Sequence, residues 1–568
     1  MSADKALQVV LCWHMHQPEY RDLRSGEYQL PWTYLHAIKD YVDMAAHIEA
    51  VPGARAVVNL APVLLEQLVD YEAQLGAWLA RGEPLRDPML AALVESAPST
   101  EPAARLRLIS HCLRANEDRL IRRFPAYQQL ADMARWILQH PETLLYVDEQ
   151  FVTDLVVWHH LAWLGETVRR SKRPEDAAAM RLTDKARGFS AADRRDLLAL
   201  IHRLVASVIP RYRALAESGK VELATSPLTH PILPLLLDFG SAREAMPDVA
   251  LPRVDRYPGG EARARAHIEQ GLAVFERHFG FRPVGCWPSE GSIDMRTLRL
   301  LQEHGFQWAA SGEAVLHNSV QKNSMPLQRD RHAAFTPDEL DIACFFRDDG
   351  LSDMIGFTYS SWHADDAVAN LIHHLENIAQ HERTHPDSLV AIILDGENAW
   401  EHYPENGFYF LRGLYEQLAA HESLQLTTFR DYLARQPERV RLEHVVAGSW
   451  VYGSFSTWIG DPDKNRGWEM LCEAKAAWDR AMAEGRLDTE QQGRAEAQLA
   501  VCEGSDWFWW FGDYNPAETV SDFEWLFRRH LSNLYQFLGE EPPEYLSHVF
   551  ARGTGAPAGG GVMRRGQA

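Results

Sequence analysis

The run VAIILDGENAWEHYP, residues 390–404, constrains this chain more than any other stretch. Val390 to Leu394 are consecutive apolar residues, apolar on both faces and too few for a buried helix, as expected of a strand covered on both sides. Such a strand delivers Asp395 and Glu397, with Gly396 between them, to its C-terminal end, where barrel enzymes gather their chemistry. The segment PVGCWPSEGSID has the same shape: a short apolar run ends in Trp287, Pro288 and then Glu290. An acid after a strand also serves as the N-cap of the following helix, so either carboxylate alone says little. Two of them, from different strand ends and each beside a tryptophan, are what glycosidic bond cleavage needs.

The remaining strand signals give the frame. Apolar runs bounded by turn or polar residues occur at 7–12, 54–59, 221–224, 283–286, 308–311, 354–357 and 390–394. Helical periodicity separates most of them, as in AHIEQGLAVFERHFG and AVANLIHHLENIAQHE, which is the alternation of an α/β parallel sheet with crossover helices. Between about 63 and 219 no strand is evident, and Ser190-Ala-Ala-Asp193 opens a helix whose Leu197, Leu198, Ile201, Leu204, Val205 and Val208 share one face. A helical insertion is expected there, over or beside the catalytic face. After Thr428 long helical segments take over, so the expected organisation is a barrel with its insertion over 1–428, a helical domain over 429–550 and a disordered tail over 551–568.

At 568 residues one large barrel domain plus an accessory domain fits. A formal charge of −22 opposes binding to nucleic acid or an anionic membrane, while a neutral polymer is indifferent to it. No apolar run nears the roughly 20 residues of a membrane span, and the N-terminus lacks a leader pattern, so a cytoplasmic protein is expected. The six cysteines form no C-x-x-C pair and read as buried thiols. Eighteen tryptophans serve both core packing and stacking on the apolar faces of sugars.

HMHQPEY, GKVELATSPLTHPILPLL, GCWPSEGS, ILDGENAWEHYPENG and GSDWFWWFGDYN stand in the order of the signature regions of glycoside hydrolase family 57, and the chain resembles that family over most of residues 8–540. NLAPVLLEQL and GSFSTWIGDPDKNRGWEML are closest to its amylopullulanase branch. The resemblance implies a distorted (β/α)7 barrel followed by an α-helical domain that completes the active site, with Glu290 as nucleophile and Asp395 as general acid/base of a retaining mechanism. It implies an enzyme that hydrolyses α-1,4 bonds of glycogen or maltodextrin, with α-1,6 bonds left open. A 4-α-glucanotransferase or branching enzyme is the alternative within that chemistry, and a non-catalytic glycogen-binding protein the alternative outside it.

The same motifs supply the binding residues. His14 and His16 alternate out of a strand end and are followed by Gln17. An H-x-H pair also suits zinc, but the neighbouring sequence nominates no third ligand, and the resemblance implies histidines that bond sugar hydroxyls without a metal or other cofactor. Glu222 is either a structural acid or a partner orienting one of those histidines, and His230 either caps a helix or touches substrate. Glu397 competes with Asp395 for the acid role. Trp287, Trp400 and Trp458 are candidate stacking platforms, and Asp506 opens an aromatic run in which Trp507, Trp509 or Trp510 would wall the cleft.

Overall fold

The computed structural model describes residues 6–94, 101–323, 331–555 and 563. Among the described residues ten strands form one sheet: β1 Leu7–Met15, β2 Ala56–Leu60, β3 Val221–Thr225, β4 Gly285–Cys286, β5 Trp308–Gly312, β6 Ala334–Pro337, β7 Ala343–Arg347, β8 Leu389–Asp395, β9 Leu424–Leu426 and β10 Arg439–Leu442. Their order is β10-β6-β7-β5-β4-β3-β2-β1-β8, with β9 paired to the start of β1. From β8 through β1 to β5 and β7, seven strands run parallel. The two ends of this curl meet where Asp348 N donates to Ala391 O and the Arg347 Nε to Ile393 O, each at 2.8 Å. This is the expected (β/α)7 barrel.

Strand alternation sorts the side chains. On β1, Val9, Leu11, Trp13 and Met15 join the shell packed under the outer helices, while Val10 and Cys12 join the barrel interior. On β8, Leu389, Ala391 and Ile393 point inward. The interior is closed below by the short helix Phe429–Leu433, whose Phe429 packs on Trp308 and Phe345. Gly285 leaves room for the Trp308 ring, 2.0 Å from where a Cβ would stand.

Two strand expectations change. Residues 354–357 belong to a wide helical turn, Met354–Thr358, and the strand of that unit is the preceding β7, Ala343–Arg347. The glycine-interrupted MIGF run is apolar enough for a strand but cannot fix its own backbone. The sheet also continues past residue 428, because β10 pairs with β6, so the wholly helical part begins with the helix Pro462–Ala483.

The segment between β2 and β3 contains no strand among its described residues and ends in the helix Ala191–Glu217, whose capping box and buried face match the sequence reading. Much of the tail lies outside the described residues, but 551–555 is ordered: Ala551 is buried, and Thr554 and Gly555 donate to Asp513 O and Asn515 O. All six cysteines are buried and unpaired. Among the described residues no helix is long and apolar enough to cross a membrane.

Candidate active site

The alternation that places Cys12 and Ile393 inside the barrel carries upward past the strand ends. His14 and Asp395 face each other in register across β1 and β8, and His14 faces Asn59 across β1 and β2. His16 and Glu397 follow two residues later over the mouth. Gly396 permits this close approach, since a Cβ there would lie 2.9 Å from Met15 Cγ.

Glu290 reaches the same mouth by a different route. The chain leaves β4 through Trp287 and Pro288 into a tight turn in which Glu290 holds the left-handed conformation, φ 57°, ψ 27°. A non-glycine residue in that region is costly, so surrounding contacts must hold it. Ile293 and Gly448 exchange two backbone bonds, and Trp450 N donates to Glu290 O at 3.1 Å. The Trp450 indole Nε1 then donates to Glu290 Oε2 at 3.1 Å. Gly312 admits this loop, because a Cβ there would stand 2.6 Å from Trp450 Cα.

The two acids of the β8 loop differ. Burial pushes the Asp395 carboxyl up to about 6, against the downward pull of the Asn398 amide, which donates to Oδ2 at 2.9 Å, and of His16 and Arg347. Glu397 is raised well above its ordinary value by burial and then by Asp395. Its Oε1 accepts from His16 N at 3.1 Å, the Gln17 amide at 3.3 Å and the Tyr41 hydroxyl at 3.4 Å. A carboxyl held this way ties the loops after β1 and β8 together.

Three imidazoles stack beside them. His16 and His230 lie 4.0 Å apart between ring centroids, and His14 and His230 5.0 Å. Burial holds His14 down at about 3, and the neighbouring His16 adds to the effect. Its Nδ1 lies 2.6 Å from Asn59 Oδ1, an oxygen that also accepts from Ser226 Oγ, so Nδ1 carries the proton. His230 is likewise kept neutral by burial and by His16 and His14. It sits with φ 63°, bonded to Ser505 Oγ at 3.1 Å and 3.8 Å from Glu290 Oε1.

The helical part of the chain supplies Asp506, whose two oxygens accept from His16 Nε2 at 2.8 and 3.0 Å. The short helix Asp506–Trp510 divides its aromatics. Trp507 and Phe508 pack inward on Phe527, and Trp509 and Trp510 turn to the cleft. These groups enclose a cavity of about 560 Å³ lined by His14, His16, Gln17, Glu290, Asp395, Glu397, Asp506, Trp509 and Trp510.

Other expected residues are not part of the cavity lining. Glu222 is buried low in the barrel, where Trp308 Nε1 and Arg430 N donate to it at 2.7 and 2.8 Å, so it anchors the floor and orients neither histidine. His230 is fully buried behind His16. Trp287 packs edge-on beneath Trp450, Trp400 against Trp13, and Trp458 behind Trp509. Trp507 donates to Val501 O within the core. Each is consumed by packing, because a large apolar ring next to a strand end is shielded first by its own fold.

The lining also includes residues that motif reading missed: Trp32, His36, Trp163, Asn398, Trp450 and Arg114. Asn398 lies inside the DGEN motif and could have been named. Trp450 closes the GSW of residues 448–450, eight residues after the end of β10, and Trp32 and Trp163 sit in helical segments where nothing local distinguishes them from core aromatics.

One group among the described residues could converge on a metal: His16, His230 and Asp506, with ligand atoms within 4.8 Å of one another. The third ligand that sequence did not nominate thus comes from residue 506. His14 is not a member. The His16 and His230 rings are only 22° from parallel, so their in-plane lone pairs run side by side instead of meeting at one ion, and His16 Nε2 is already directed at Asp506. The geometry fits hydrogen bonding to hydroxyls better than tetrahedral coordination.

Comparison with known proteins places the chain. Eighty-three residues are 34% identical to the 1,4-alpha-glucan branching enzyme of Thermococcus kodakarensis, a match that spans 15% of this chain and 9% of that relative. The solved structure of a branching enzyme from the same organism, in complex with glucose, superposes over 94% of this chain and 90% of its own with a TM-score of 0.56 at 15% identity. The alpha-amylase AmyC of Thermotoga maritima does so over 94% and 93%, also with a TM-score of 0.56, at 12% identity. At such identities the two superpositions speak for the fold. The model of glycosyl hydrolase family 57 matches residues 10–446, and the chain belongs to that family of enzymes.

Proposed function

We propose that this protein is a retaining enzyme that cleaves α-1,4-glucosidic bonds of glycogen or maltodextrin by double displacement. The reading is carried by Glu290 and Asp395 lining one cavity, with Asp395 keeping its proton to about pH 6. A carboxyl that stays protonated near neutrality can donate to the leaving glycosidic oxygen, while a second carboxylate attacks the anomeric carbon. Glu290 is the attacking group, steered by the Trp450 indole N–H. Asp395, once deprotonated, takes the proton of the incoming water or hydroxyl. His16 and Asp506 bind hydroxyls of the ring being cleaved, and Trp509 and Trp510 cover its apolar faces. The negative surface and the six buried thiols suit a neutral polymer in a reducing compartment such as the cytoplasm.

A second reading is favoured by the local sequence likeness to a branching enzyme: the glycosyl intermediate passes to another glucan chain instead of water. Both readings share the first half-reaction. Incubation with maltoheptaose, amylose, pullulan and glycogen separates them. New reducing ends mean hydrolysis, longer oligomers or new α-1,6 links without reducing ends mean transfer, and cleavage of pullulan means α-1,6 activity. No product from any of the four refutes the catalytic reading and leaves a glucan-binding role.

A further inference from the structure

The cavity holding Glu290 and Asp395 is not walled by the barrel alone. Its rim carries Arg114, from the turn after the helix Pro102–His111 in the insertion, and Glu518 and Asp522, from the start of the helix Ala517–Phe537. Arg114 Nη1 donates to Asp522 Oδ2 at 2.8 Å and Nη2 to Glu518 Oε1 at 2.5 Å, so one guanidinium spans segments more than 400 residues apart in sequence. Each segment is anchored without it. Arg529 and Asn533, further along the C-terminal helix, bind the Asp22 carboxylate at 2.6 and 2.9 Å. On the insertion side, Arg119 Nε donates to His402 O at 3.1 Å.

The contact is also placed to open. The side chains of Arg114, Asp522 and Glu518 are 21%, 32% and 66% exposed, and ion pairs so close to solvent contribute little to stability and are screened by salt. An ion pair that joins two distant segments at the rim of the catalytic cavity is placed to act on what enters.

We propose that Arg114, with Glu518 and Asp522, forms an ionic clasp across the cleft that selects glucan topology, admitting a single unbranched strand and holding back branched chains. This rests on the α-glucan reading above. A branch point presents two strands at once, and a closed clasp leaves the second no place at the rim. Selection of this kind is a difference in kcat/KM between substrates.

The test compares kcat/KM for glycogen with kcat/KM for maltoheptaose in the full-length protein. Arg114→Ala should raise that ratio about fivefold or more, and the charge exchange Arg114→Asp with Asp522→Arg should bring it back down. An unchanged ratio, or an equal fall on both substrates, overturns the clasp, the latter because Arg114 would then be a general sugar contact. Hydrogen exchange of the full chain without sugar gives a second readout: the backbone amides of 112–116 and 517–523 should exchange faster in Arg114→Ala, and identical exchange also overturns it. If the unmodified protein turns over no glucan, the α-glucan reading fails and topology selection falls with it, while the exchange result still reports whether a clasp joins the two rims.

Discussion

Replacing Asp506 by alanine tests whether the helical part of the chain completes the active site. Asp506, from this region, is bonded to His16 at the barrel mouth, through two oxygens 2.8 and 3.0 Å from His16 Nε2. Hydrogen bonds involving a charged partner contribute about 1.5–3 kcal/mol, and loss of one that acts on the sugar in the transition state lowers kcat/KM by a factor of roughly 10–150. The cost to the fold should be small. Asp506 lies in the first turn of a five-residue helix, where a carboxylate contributes about 0.3–1 kcal/mol through the helix dipole. The expected outcome is therefore a large fall in kcat/KM for maltoheptaose with a nearly unchanged chemical unfolding midpoint. Asp506→Asn, which retains one oxygen to accept from His16, should fall between. If Asp506→Ala turns over maltoheptaose within twofold of the parent, the composite site is wrong and this region only buttresses the barrel.

Three further outcomes follow from the electrostatics. Asp395→Asn should abolish most turnover, because a positioned general acid is worth about 10²–10⁴ in rate. It should also stabilise the fold: a carboxyl raised from 3.8 to about 6 has a stability contribution present below pH 3.8 and lost as pH rises through 6, about 3 kcal/mol in all, so the variant's advantage in urea unfolding should be present at pH 8 and gone at pH 3.5. Trp450→Phe removes the N–H that orients Glu290 while keeping the ring, and should lower kcat of maltoheptaose cleavage about tenfold or more with KM little changed; equal kcat would show that the bond has no part in attack. Burial opposes the charge of His332, but the Asp348 and Glu382 carboxylates hold it up at about 9. Its stabilising contribution is complete below about pH 6.5 and lost as pH rises through 9, so His332→Gln should destabilise the protein at pH 6 and match the parent at pH 10 in urea unfolding.

Local sequence determined much of this molecule because two periodicities carry through its strands. The period of two on β1 and β8 puts Cys12 and Ile393 inside the barrel and, two residues on, His14 and Asp395 at its mouth, so the central acids and histidines were legible from residue spacing. The 3.6 period of the helix Ala191–Glu217 and its Ser190 cap were equally local. MIGF at 354–357 was misleading because a short apolar run carries no period at all, and only pairing with β5 made 343–347 the strand.

Tertiary structure decided which polar groups and rings meet. Glu222 and Glu397 are both buried acids, yet one is bonded to Trp308 at the floor and the other to His16 at the mouth, because Glu222 stands at the start of β3 and Glu397 two residues past the end of β8. Trp400 and Trp458 are core while Trp32 and Trp450 line the cleft, a choice set by which distant part of the chain packs against each ring. Asp506 and Arg114 lie far in sequence from Glu290, and no periodicity reaches across such a separation. Sequence by itself located the candidate catalytic carboxylates Glu290 and Asp395, since a short apolar run that ends in an acid is a local pattern. The shape and roof of the cleft were settled only by long-range packing of the insertion and the C-terminal helices over the barrel.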